Sequence, residues 1–249
     1  MAAIMASRMK LFLAASGLAA LLQPAFAEPP RAVVELFTSQ GCSNCPPADA
    51  LLVEYARKPD IVALSFPVTY WDYLGWKDTL AHAEFTNRQK DYAHARSDRQ
   101  VFTPQIIVNG KKSCIGSDRA QIETAIQMSA KDAPALPVDI AISEQNGMVT
   151  VSLTQTGEVQ HRDAEVWVLP VLRSQTVPIE RGENKGRTIT YANVVRGLRR
   201  IGEWHGGPAR FELASEAARG GADGYVVLLQ AEEDDRPGVI LGAAKSAGL

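Results

Sequence analysis

Two apolar runs near the front of the chain, Ala32-Val33-Val34-Glu35-Leu36-Phe37 and Ile61 to Val68, are rich in β-branched residues and lack strict polar alternation. Both read as buried parallel strands. Between them Leu51, Leu52 and Tyr55 fall at helical spacing over 49–57, and over 83–96 Phe85, Gln89, Tyr92 and Arg96 recur every three or four residues in a polar setting, as on a surface helix. A third strand is predicted at Gln105 to Val108. Asn109-Gly110 then turns the chain into Lys112 to Ile115, and Asp118 opens a helix to about Met128. The predicted order is β-α-β-α-β-β-α.

Beyond Lys131-Asp132-Ala133-Pro134-Ala135-Leu136-Pro137 the period changes. Two prolines stop the helix, and 132–137 reads as a linker. Val138 to Ile142 and Val149 to Leu153 alternate around Asn146-Gly147, as a hairpin does, and further strands are predicted at 164–172, 188–195, 209–213, 225–231 and 238–244. Glu212 to Arg219 is ambiguous between strand and helix. The expectation is an α/β domain over 28–131 and an antiparallel, β-sandwich-like domain over 138–249.

The first 27 residues belong to neither. Arg8 and Lys10 precede an uncharged apolar run, Leu11 to Leu22, and Ala25-Phe26-Ala27 supplies the small residues of a cleavage site. Twelve residues rise only about 18 Å as a helix against a hydrocarbon core of roughly 30 Å, so a secretory signal cleaved after Ala27 is expected rather than an anchor. No later segment is apolar for long enough to span a membrane. The simplest location is the bacterial periplasm or beyond it, where thiols meet an oxidising milieu.

Composition narrows the partners. The chain has 249 residues, 26 Lys+Arg and 28 Asp+Glu. Without Arg8 and Lys10 the balance becomes 24 basic against 28 acidic residues, a net of −4, which offers nothing to neutralise a nucleic-acid backbone. Three cysteines are too few for a disulfide framework, and two form a pair, Cys42-Ser43-Asn44-Cys45. That pair stands where a strand gives way to a helix. Unpaired amides of the first helical turn favour a thiolate at Cys42, and Cys45, about one turn on, is placed to resolve a mixed disulfide. A zinc site is the competing reading. It needs four ligands, and Cys114, His82, His94, His161 and His205 show no paired spacing, so no metal is expected.

These features resemble a known group of proteins. Glu35 to Asp49 (ELFTSQGCSNCPPAD), Tyr70-Trp71-Asp72-Tyr73-Leu74-Gly75-Trp76, Val101-Phe102-Thr103-Pro104-Gln105, and in the second half Arg181 to Asn184 with Gly186-Arg187-Thr188 are similar to the secreted thioredoxin-like proteins grouped as domain of unknown function 1223. The resemblance implies a thioredoxin-like domain followed by a β domain, with Pro104 cis beside the cysteine pair and Thr103 at a substrate-binding edge. It implies no reaction. One departure stands out, because Phe66-Pro67-Val68-Thr69-Tyr70-Trp71 replaces the family's usual Phe-His-Val-Asp-Tyr-Trp.

The site expected from residues and resemblance together is Cys42, Cys45, Pro104 and Glu35, flanked by Thr103, Trp71, Tyr73 and Trp76. Glu35 is read either as a buried base for the proton of Cys45 or as a structurally paired carboxylate. The aromatic residues are read either as a substrate-facing patch or as packing. Cys114 is read as a small buried apolar group or as a regulatory thiol, and the loop with Arg181, Glu183, Asn184 and Arg187 as an anion site or a docking contact with the first domain. Two functions follow. One is a thiol-disulfide oxidoreductase that acts on protein thiols or disulfides with an unidentified redox partner and needs no cofactor beyond its own disulfide. The other is a binding or adaptor protein on the same fold, including one that holds Cu(I) between Cys42 and Cys45.

Overall fold

A computed structural model describes residues 29–98, 100–131, 136–160, 163–234 and 236–249. The expected signal segment 1–27, His161 and most of the expected linker lie outside the described residues.

The first half runs β1 (Ala32–Thr38), α1 (Pro46–Ala56), β2 (Ile61–Pro67), a short 3-10 turn (Asp72–Leu74), α2 (Ala83–Ala95), β3 (Gln105–Val108), β4 (Lys112–Ile115) and α3 (Arg119–Lys131). β1 and β2 are parallel, while β3 lies antiparallel to β1 and β4 antiparallel to β3. Local chemistry accounts for the turns. Asn109 and Gly110 both have positive φ, 50° and 70°, as a two-residue hairpin of this hand requires. Asp118 accepts the amide of Gln121 at 3.0 Å through its side chain and so caps α3.

The second half runs β5 (Val138–Gln145), β6 (Met148–Gln155), β7 (Ala164–Pro178), β8 (Thr188–Val195), β9 (Arg199–Trp204), β10 (Ala209–Ala214), α4 (Ser215–Arg219), β11 (Gly224–Glu233) and β12 (Arg236–Lys245). The ambiguous stretch after Glu212 is thus the end of one strand followed by a five-residue helix. β9 went unpredicted, because Arg199-Arg200-Ile201-Gly202-Glu203-Trp204 hides its alternation behind charge and glycine.

These strands form two sheets with an apolar cluster between them, but one of the two sheets is shared with the first half. β10, β6 and β5 form a three-stranded sheet, but β7, β8, β9, β11 and β12 join the strands of the first half in one nine-stranded sheet ordered β12-β11-β7-β8-β2-β1-β3-β4, with β9 also on β7. The molecule is a mixed α/β structure with few helices. The junction is β2 against β8, parallel at Ser65 and Val194, where Asn193 Nδ2 donates to Ala63 O at 2.9 Å. The physical reason is edge satisfaction: a β2 without a neighbour would present unpaired backbone groups in a buried position.

The sheet separates two apolar layers, and the parity of β1 decides what enters each. Val33 and Phe37 join α2 (Phe85, Tyr92) and residues of the second half such as Leu169, Val195, Leu228 and Ile240. Val34 and Leu36 face the opposite layer with Leu51, Leu52 and Tyr55 of α1 and Ile122 and Ile126 of α3. A third cluster lies between the three-stranded sheet and β7, β11 and β12, around Val151, Val166, Trp204 and Leu229. No helix among the described residues is long and apolar enough to cross a membrane.

Candidate functional site

The cysteine pair sits in the turn that carries β1 into α1. Cys42 N donates to Ser39 O at 3.2 Å and Cys45 N to Cys42 O at 3.2 Å, while Ala48 and Asp49 donate to Cys45 O at 2.9 and 3.1 Å. Cys45 therefore caps the helix, and Pro46 and Pro47 follow in the first turn, where a missing amide hydrogen leaves nothing unbonded. Cys42 and Cys45 form a disulfide with a Cα separation of 5.4 Å. Cys42 is 2% exposed and Cys45 0%, whereas Ser43 and Asn44 between them are exposed.

Aromatic residues brace this turn from outside. A Cβ on Gly41 would stand 3.1 Å from both Trp71 Cβ and Trp71 O, so glycine admits the close approach of the Trp71 segment. Trp71 Nε1 donates to Thr103 Oγ1 at 2.7 Å, and the Thr103–Pro104 peptide that follows is cis. Trp76 Nε1 donates to Gln40 Oε1 at 2.8 Å. Trp71 and Trp76 are half-buried, with committed indole donors, and pack in part against the apolar clusters. Tyr73 stacks on Trp71 and is 76% exposed, and Phe102, beside Thr103, is 41% exposed. At the two positions that depart from the family pattern, Pro67 O accepts the His82 amide at 3.3 Å, and Thr69 bonds Thr86 Oγ1 at 3.0 Å through both its amide and its hydroxyl. Both contacts tie the end of β2 to the start of α2.

The carboxylates divide by the parity of β1. Glu35 shares its face with Val33 and Phe37, opposite the layer that holds α1. There it is fully buried and committed: Arg88 Nε donates to Glu35 Oε1 at 2.9 Å and Tyr92 OH to Oε2 at 2.6 Å. It is not brought together with the cysteines. Thr38, on the α1 face, instead donates its hydroxyl to Asp49 Oδ1 at 2.7 Å, and Asp49 Oδ2 is buried without a partner. Asp49 lies four residues after Cys45 on the same helix, the spacing that puts two side chains on one face about 5–6 Å apart at Cβ. Burial pushes the Asp49 carboxyl up to about 8 against the Thr38 hydrogen bond, and neighbouring Asp78 pushes it further.

Asp78 is the second buried acid here. It accepts the Gln40 amide at 2.8 Å, the Leu80 amide at 2.8 Å and the Ala81 amide at 3.1 Å. Burial raises it to about 6, those amides opposing and Asp72 adding to the rise. The Tyr191 hydroxyl of β8, buried without a partner, is held protonated by burial and by the charges of Asp49 and Asp78. Neither Asp78 nor Tyr191 was picked out by sequence. Asp49 was legible only as an acid at the start of α1 that complements the helix dipole, and nothing in its sequence setting marked it as buried.

The loop with Arg181, Glu183, Asn184 and Arg187 docks on the cysteine turn. Asn184 is 0% exposed, and its Nδ2 donates at 2.9 Å to Gln40 O and at 2.9 Å to Cys42 O. Carbonyls accept only, which fixes the orientation of the amide and leaves Asn184 Oδ1 buried without a donor. An orphaned acceptor of this kind costs about 1–3 kcal/mol. Gly182, at φ 76°, brings the same loop against Trp76. Cys114 is buried on the far side of β3, its thiol 3.8 Å from Gln121 O. Among the described residues no group of three His, Cys, Asp or Glu is placed to hold a metal ion.

Comparison with known proteins places the chain without assigning it chemistry. No curated protein matches it. A protein of Agrobacterium tumefaciens, known from an X-ray crystal structure of a structural-genomics consortium, is 34% identical, with a TM-score of 0.79 over 89% of this chain and 96% of that one. The model of the family described as "Protein of unknown function (DUF1223)" matches residues 33–230, so the chain belongs to that family.

Proposed function

We propose that this protein is an exported thiol-disulfide oxidoreductase whose first half is thioredoxin-like, with Cys42 as nucleophile and Cys45 as resolving cysteine. The observation that carries the reading is the disulfide at the N-terminus of α1 with a buried, protonatable carboxyl, Asp49, one helical turn below Cys45. The amides of the first turn are not free, because Pro46 and Pro47 have none and Ala48 and Asp49 bond Cys45 O, so it is the helix dipole that stabilises negative charge at this end. In the oxidising direction a substrate thiolate attacks Cys42 Sγ. The Cys42–Cys45 bond breaks, and Cys45 leaves as a thiolate that takes a proton from Asp49. A second substrate thiolate then attacks the substrate sulfur of the mixed disulfide, releasing Cys42 as a thiolate and the substrate as a disulfide. Two electrons have passed to the cysteine pair. Reduction of a substrate runs the same steps backwards. Asp49 takes the proton-transfer role expected of Glu35, which points into the other layer. Tyr73, Phe102 and Thr103 stand where an incoming chain would rest, and a redox partner in the periplasm or outside the cell resets the pair.

The burial of Cys42, 2% exposed, favours a second reading: a structural disulfide on a binding module. Exchange with dithiothreitol separates the two. The parent is expected to equilibrate reversibly, with a Cys42 pKa below the free-thiol value of about 8.5. Cys45→Ser is expected to trap a mixed disulfide at Cys42 with a small disulfide reagent, and Cys42→Ser to trap none. A folded parent whose disulfide neither reduces nor, after reduction, alkylates selectively at Cys42 would establish the structural reading instead.

A further inference from the structure

We infer that Asn184 is a positioning residue for the redox loop: its amide, reaching in from the second half of the chain, holds the carbonyls of Gln40 and Cys42 so that Cys42 can carry a thiolate. The inference rests on the proposed oxidoreductase reading and deepens it, by making the second half of the chain part of the machinery that sets the reactivity of the pair.

Three observations support it. The contact is aimed, because of the charged loop residues around it, Arg181, Glu183, Lys185 and Arg187 are exposed while Asn184 alone is turned inward and fully buried. It falls on the reactive segment, since both acceptors, Gln40 O and Cys42 O, belong to the four residues that lead into and include the nucleophile. It is also poorly suited to serve the asparagine itself, whose Oδ1 finds no donor. An anchor needed only to fix the loop would be satisfied at both ends.

The electrostatic consequence follows from dipoles. The oxygens of Gln40 and Cys42 carry partial negative charge on the turn that bears the sulfur, in a buried and weakly screened place. The two hydrogens of Asn184 Nδ2 offset that charge. Cys42 O also accepts the Cys45 amide, so the Asn184 amide fixes the carbonyl that links the two cysteines. Without it, Gln40 O loses its Asn184 donor and Cys42 O keeps only that of Cys45, so a thiolate at Cys42 meets carbonyl dipoles that are less fully offset.

The test compares Asn184→Ala, Asn184→Ser and, as a control on the same loop, Lys185→Ala with the parent by dithiothreitol equilibrium and by the pH dependence of Cys42 alkylation. Asn184→Ala is expected to raise the Cys42 pKa by about one unit and to shift the exchange equilibrium about tenfold toward the disulfide, about 30 mV more reducing for a two-electron couple. Asn184→Ser, which keeps one donor, should fall between the two, and Lys185→Ala should match the parent. If Asn184→Ala does not fold, the serine variant carries the test. A parent that exchanges while every folded Asn184 variant keeps its pKa and equilibrium overturns the inference alone. A parent that never exchanges overturns the redox reading and this inference with it.

Discussion

Two buried acids on the segments that hold the cysteine turn, Asp49 and Asp78, illustrate how far a single side chain's environment departs from its letter. Asp49 reads as an ordinary helix-opening acid, yet its carboxyl is raised from 3.8 to about 8 by burial. Its folded-state pKa lies above its unfolded one, so the native state binds the proton more tightly. Stability is therefore unaffected by this group below about pH 4, falls as pH rises from there toward 8, and carries the full penalty above 8. Asp78, raised to about 6, adds a smaller loss over the lower part of that window. At about 1.4 kcal/mol per pKa unit a rise from 3.8 to about 8 corresponds to a penalty of about 6 kcal/mol. Asp49→Asn is expected to flatten the fall in unfolding temperature between pH 4 and 8 and to make the oxidised protein more stable than the parent at pH 8–9. Scanning calorimetry across that range checks it, and a parent with no pH-dependent loss that the variant removes would contradict it. Glu35 shows the converse. A carboxylate beside a cysteine motif was visible in the sequence, but its partners Arg88 and Tyr92 lie 53 and 57 residues away, and nothing local announced them.

At the scale of elements, what was readable was whatever short-range periodicity or turn chemistry encodes. β3, β4 and both Asn-Gly hairpins follow from alternation and from residues that tolerate positive φ. What escaped was an element whose pattern is masked by its surroundings. β9 faces β7 with Gly202, where a Cβ would run into the Phe211 ring, so the residue that hides the strand from a periodicity reading is the one its packing demands. Gly116 plays a related part at the site. Its amide donates to Pro104 O at 2.9 Å, and a Cβ there would lie 2.8 Å from Pro104 Cβ and 3.0 Å from Leu36 Cδ1. Gly116→Ala is expected to push β4 away from the Pro104 segment and to destabilise the protein by about 1–3 kcal/mol. A lowered urea midpoint with an unchanged slope would confirm this. A midpoint equal to the parent's would mean that the end of β4 yields freely.

At the scale of the molecule, the two halves share one interior. Gln230 of β11 accepts from Arg88 at 2.8 Å and donates to Tyr92 OH at 2.7 Å, completing the buried network around Glu35. The layer that holds Phe37, Leu64 and Phe66 is closed in part by Leu169, Val171, Val195, Val226, Leu228 and Ile240. A fragment of residues 28–131 would leave that layer open, β2 without β8, and the Glu35–Arg88 pair without Gln230. Losing the hydrogen-bond partner of a buried charged group costs about 1.5–3 kcal/mol, and opening the apolar layer adds to it, together a large share of a typical domain's stability. The fragment is therefore expected to show poor amide dispersion in NMR and no cooperative urea transition, in contrast to the full chain. A well-dispersed, cooperative fragment would mean that the first half folds as a unit of its own.

The sequence by itself determined the local frame: the order of strands and helices in the first half, the hairpins, the placement of the cysteine pair between a strand and a helix, and the proline pair that opens α1. Each of these rests on interactions among residues a few positions apart, through backbone dihedrals, period and caps. Only the tertiary structure decided that β8 pairs with β2, that Glu35 turns into the layer opposite α1 while Asp49 is buried against Thr38, and that Asn184 reaches Gln40 O across 144 positions of chain. Those choices belong to packing. They are settled by which buried groups find partners once the layers close, and no local pattern carries them because the groups that decide lie in distant parts of the chain.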